Sequence, residues 1–82
     1  LVDVIYNAKD VPLPVEQHVT VVVHKELVNG RAIDKAYFYD SSKGDYGGSG
    51  PFDFLVDEAI ERAKRFASDN NITKVVMRAQ QP

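Results

Sequence analysis

An Asn29-Gly30 pair lies between two stretches with the composition of strands, HVTVVVHKELV and RAIDKAYFYD. Both residues tolerate positive φ, which a two-residue type I′ turn requires at its two central positions. The pair therefore predicts a hairpin and also a register. Val28 opposes Arg31. The ladder then runs back through Leu27 with Ala32, Glu26 with Ile33, Lys25 with Asp34 and His24 with Lys35. It continues through Val23 with Ala36, Val22 with Tyr37, Val21 with Phe38 and Thr20 with Tyr39. Val22, Tyr37 and Tyr39 share one face with Thr20, His24 and Ile33. Val19, Val21, Val23, Ala36 and Phe38 share the other. A slip of one residue would exchange the faces, so the turn guards the pattern. The β-branched run from Val19 to Val23 favours a pleated surface over a helix.

The rest of the chain reads as one strand before the hairpin and a helix and a strand after it. Residues 1–6 alternate as a short strand. Residues 7–17 form a connection that Pro12 and Pro14 make stiff and poor in donors. Residues 41–50 carry four glycines and read as an irregular loop. A helix is expected from about Pro51 to residue 69, with Gly50 as N-cap and Asp53 in its first turn. Its apolar stripe is Phe52, Leu55, Val56, Ala59, Ile60, Ala63, Phe66 and Ala67. Phe66 is expected beneath the sheet, with Arg62 and Arg65 toward solvent. Asn70-Asn71 reads as the stop, and residues 72–79 as a final strand.

The helical stripe needs an apolar surface, and the Val19, Val21, Val23 and Phe38 face supplies one. The expected fold class is α+β: a small mixed or antiparallel sheet in the order β-β-β-α-β, with one helix on one face, in a single domain over residues 1–82. A crossover from strand 31–41 to the last strand follows if those two are parallel. Strand 1–6 either pairs with the last strand or exchanges between subunits.

Composition narrows the function classes. The chain has no cysteine, which removes disulfide and thiolate chemistry. A net charge of -2 disfavours nonspecific binding of a nucleic-acid backbone. No apolar run reaches the roughly 18 residues of a membrane span, so a soluble protein without a membrane partner is expected. The sequence carries no signal-peptide pattern. Its first residue is Leu1 rather than Met, which leaves the native boundaries open. No motif calls for a cofactor.

Four groups of residues are candidates for chemistry. Lys43, Gly47, Gly48, Ser49 and Gly50 precede the expected helix and form a candidate anion loop, although the sequence lacks both GxxxxGK[ST] and G-x-G-x-x-G. The bland alternative is a loop feeding a capped helix. His18 and His24 share a strand face but stand about 20 Å apart in an extended chain, too far for one metal. His24, beside Lys35, has no obvious carboxylate partner except Glu26, two positions along on the same face. Asp3 and Asp40 would form a divalent-metal centre only if they converged with a third carboxylate such as Asp45 or Asp57.

The fourth group is Val22, His24, Tyr37 and Tyr39, on the face away from the expected helix. Aromatic residues on an open sheet face suit a protein interface. The leading expectation is therefore a small noncatalytic interaction or regulatory module, self-associating or binding another protein through its open face or a strand edge. A single-stranded nucleic-acid module, with Arg31, Lys35 and Lys43 around the tyrosines, is the first alternative. A metal-dependent phosphodiester hydrolase is the second.

Overall fold

The computed structural model describes residues 2–7, 16–42 and 53–79. Its central feature is the hairpin of β2 (Val19–Val28) and β3 (Arg31–Asp40). Asn29 has φ 53° and Gly30 has φ 78°, the left-handed conformations that a type I′ turn demands. The ladder runs from Val28 with Arg31 to Thr20 with Tyr39, in the register the turn predicts, and adds Val19 with Asp40. Lys25 and Asp34 face each other across it at 3.2 Å.

Three further strands complete a five-stranded mixed sheet in the order β1-β5-β2-β3-β4. β1 (Asp3–Tyr6) and β5 (Lys74–Ala79) are parallel to each other, and β5 is parallel to β2. The first strand thus pairs with the last. β4 (Phe54–Leu55) pairs antiparallel with Lys35 and Ala36 of β3. Helix α1 (Val56–Asp69) follows it directly. The observed order is therefore β-β-β-β-α-β.

Two sequence expectations are corrected here. Residues 53–55 are not helical; Phe54 and Leu55 pair with β3, and Leu55 stands at the N-cap with its side chain exposed. Pro51 and Gly50 gave local signals for a helix start, but a pairing partner distant in sequence takes Phe54 and Leu55. The crossover is also different. β3 is antiparallel to β2 and β5 is parallel to β2, so β3 and β5 run in opposite directions. The parallel unit is β4-α1-β5, which passes over β3 and β2.

Packing follows the parity of the strands. Ala59, Ala63 and Ala67 bury one stripe of α1 against Val19, Val21, Ala36, Val75 and Met77. Small residues at every fourth position let the helix axis lie close to the sheet. Phe66 packs at the edge of this core, half-buried, its ring 5.9 Å from that of Phe38. Arg62 and Arg65 are exposed, and Arg62 sits over the Phe54 ring at 4.6 Å. The helix ends at the Asn70-Asn71 pair. Asn71 adopts φ 59°, Ile72 N–H donates to the Ala67 carbonyl and Asn71 N–H to that of Ser68. These are the two bonds of a Schellman cap, and buried Ile72 supplies its apolar contact.

Candidate functional site

The tyrosine face is where sequence reasoning places the interaction site, and the structure keeps those residues together. Val22, Tyr37 and Tyr39 form a cluster of their own, on the side of the sheet away from α1. The expectation that the face is open is corrected. Tyr37 is only 3% exposed and Tyr39 8%, while Val22, Thr20 and Val76 are fully buried. Rings at that depth offer no platform to a base or to a protein surface. The Tyr39 hydroxyl accepts from the Arg78 guanidinium at 3.3 Å, which ties β3 to β5 across β2.

The fourth residue of the group, His24, has a partner that sequence reasoning missed. Its Nε2–H donates to Asp53 Oδ1 at 2.9 Å, with both side chains largely buried. The His24 ring also lies 5.9 Å from that of Tyr37. The pairing of β4 with β3 explains the contact. Lys35 opposes Leu55 and Ala36 opposes Phe54, so the alternation places Asp53 beside Tyr37, on the face that carries His24. The bond fastens the segment entering β4 to the centre of the sheet.

His18 and Thr20 occupy the same face nearer the other end of β2. His18 Nδ1–H donates to the Glu16 carbonyl at 2.8 Å. His18 Nε2 and Thr20 Oγ1 are buried, with no hydrogen-bond partner among the described residues. Beside them, Glu16 forms an ion pair with Lys74 of β5.

Asp3 and Asp40 do not converge. They stand on β1 and β3, with β5 and β2 between them. Three strand spacings separate them by on the order of 14 Å. The registers also align Asp40 with Val19, Val75 and Val4, so the two aspartates start from opposite faces of the sheet. Asp40 serves the turn that follows it. It accepts from the Ser42 amide at 3.0 Å, the Ser42 hydroxyl at 2.8 Å and the Gln17 amide at 3.1 Å. The third carboxylate proposed from sequence, Asp57, lies in the first turn of α1, and Asp45 lies outside the described residues. Among the described residues no three metal-ligating side chains cluster. The candidate anion loop of Lys43, Gly47, Gly48, Ser49 and Gly50 also lies outside the described residues.

Exposed apolar surface occurs elsewhere. The tip of the hairpin carries Leu27, 77% exposed, beyond the last residue that β5 flanks. At the sheet edge, β1 carries Ile5 at 37% and Tyr6 at 76%. Asp3 N–H donates to the Thr73 carbonyl at 2.9 Å and Asn7 N–H to that of Met77 at 2.8 Å. Peptide groups alternate in direction along a strand, so those of odd-numbered residues face β5 and those of Val4 and Tyr6 face outward. Among the described residues, no strand pairs with that outer side. Edge strands are commonly blunted by lysines, prolines or bulges, and Asp3 is the one charged residue of β1. Comparisons with protein-family models, curated proteins and solved structures find no match for the chain.

Proposed function

We propose that the protein is a small noncatalytic interaction module that binds an extended polypeptide segment along the outer edge of β1. The observation that carries this reading is the outward pair of peptide groups at Val4 and Tyr6, flanked by exposed Ile5 and Tyr6. Main-chain donors and acceptors on an uncovered edge provide affinity for any extended strand, and the alternating side chains provide choice among them. The surface first expected to serve this role, the face of Val22, Tyr37 and Tyr39, is filled inside the folded chain. The carboxylates that a hydrolase would need are committed to a turn or lie apart.

A library of displayed random peptides tests the reading. Tyr6→Pro removes the outward N–H while leaving the Asp3 and Asn7 donors to β5 in place. Tyr6→Ala removes the ring and keeps the N–H. Selection on the natural chain should enrich peptides with alternating apolar residues that still bind Tyr6→Ala measurably and fail on Tyr6→Pro. A library that enriches nothing, or whose binders hold Tyr6→Pro as tightly as the natural chain, overturns the reading.

A further inference from the structure

Strand β1 is suited to a particular occupant of its own edge. We infer that two copies of this chain pair β1 with β1, antiparallel, across a two-fold axis at Ile5. The inference deepens the strand-addition reading and rests on it. A closed dimer brings the same patch of both subunits together, which for an edge strand means antiparallel pairing.

An axis that pairs every residue of β1 within the described residues passes at Ile5 or at Val4, and the direction of the peptide groups sets the bonding in each case. With the axis at Ile5, the outward groups of Val4 exchange both hydrogen bonds with those of Tyr6 in the second copy. Ile5 then opposes its own counterpart in the narrow, non-hydrogen-bonded site. With the axis at Val4, that residue pairs with itself and Asp3 falls opposite Ile5.

Charge and exposure choose between the two. The axis at Ile5 places Asp3 opposite an amide, Asn7, and keeps the two Asp3 carboxylates about 14 Å apart, beyond the screening length at physiological salt. The axis at Val4 brings them to roughly 8 Å and sets each against an apolar side chain. The first register also covers both exposed apolar residues of the strand. Ile5, 37% exposed, meets its counterpart on one face. Tyr6, 76% exposed, lies over Val4 of the second copy on the helix side. The product is one continuous sheet through two five-stranded halves.

An interface built on a strand of four residues is small, and the dimer it forms is weak and transient. Covalent trapping reads it directly, because the chain contains no cysteine of its own. Partners in a non-hydrogen-bonded pair have Cα atoms about 4.5 Å apart, within the range of a disulfide. Ile5→Cys should therefore oxidise to a covalent dimer in glutathione disulfide. Its rate should exceed that of Leu27→Cys, an exposed thiol that reports random collision, by tenfold or more. Val4→Cys, whose counterpart lies diagonally across, should match the collision control. Adding Tyr6→Pro to Ile5→Cys should return the rate to that control. Sedimentation equilibrium of the natural chain provides a second reading that no substitution can disturb, with weight-average mass rising with concentration in the natural chain and flat in Tyr6→Pro.

Ile5→Cys oxidising no faster than Leu27→Cys, with the natural chain monomeric at every concentration, overturns self-pairing. Fastest trapping of Val4→Cys overturns the register. Either result leaves the peptide selection to stand or fall by itself, so failure of the dimer and failure of strand addition are told apart.

Discussion

The two ends of one hairpin, its base and its tip, differ sharply in burial. At its base, Val19, Thr20, Val21 and Val22 are buried on both faces, between β5 on one side and β3 on the other. At its tip, Lys25, Glu26 and Leu27 are exposed, although the same ladder continues through them without a break. Backbone pairing is uniform along the ribbon, so pairing does not account for the difference. What changes is the flank. β5 accompanies β2 only from Val19 to Val23, and β4 accompanies β3 only at Lys35 and Ala36. A two-stranded ribbon without neighbours is marginal in water, and the tip holds its shape through the turn and through continuity with the base.

The largest effect should therefore follow a cut at the base. Tyr37→Ala removes a ring that is nearly fully buried against Val22 and beside His24, and should cost about 3–5 kcal/mol in urea denaturation. A cost below 1 kcal/mol would mean that the base and the tip are equally wet. At the border between the two regions, Asp53→Ala leaves His24 Nε2 without its acceptor and should cost about 1–3 kcal/mol. Unchanged stability there would show that β4 holds its place without the pair.

The base also contains a substitution expected to act in the other direction. Thr20 Oγ1 is buried with no partner among the described residues, so Thr20→Val exchanges an unsatisfied hydroxyl for a methyl of similar shape and should stabilise by about 1 kcal/mol. Destabilisation would reveal a hydrogen bond to a bound water at that atom. The smallest effect belongs to the tip, where Leu27→Lys should change stability by less than about 0.5 kcal/mol. A larger loss would mean that the tip rests on something in the folded protein.

What the sequence made legible follows the range of each interaction. The hairpin register is a local matter of two residues with positive φ, and it reads directly from Asn29-Gly30. The helix stop at Asn70-Asn71 is local in the same way. The helix start is not legible locally, because Leu55 pairs with Lys35 and Phe54 with Ala36, partners twenty and eighteen residues away, and local propensity does not register that pairing. The His24 to Asp53 bond spans 29 residues and exists only once β4 has its register. The alternation of Val22, Tyr37 and Tyr39 correctly separated them from the helix face. Alternation states which side a residue is on and is silent on whether that side is wet. Pairing of the first strand with the last is one of two options the sequence leaves open, and the choice between them depends on a partner strand near the other end of the sequence.

The place of β5 in the sheet has a consequence for how the chain reaches its structure. Of the five strands it is the furthest along the sequence, yet it lies between β1 and β2. A ribosome completes both neighbours before the strand that joins them. Until β5 arrives, β1 has no partner among the described strands, and β2 has only the hairpin on its other side. The slot closes through contacts between residues far apart in sequence, the kind whose loop-closure entropy must be met before they contribute. The hairpin is then the natural early event, and the insertion of β5 the late one. During that interval two bare edges, that of β2 rich in valine, face the solvent together, and this is when the chain is most exposed to mispairing and aggregation.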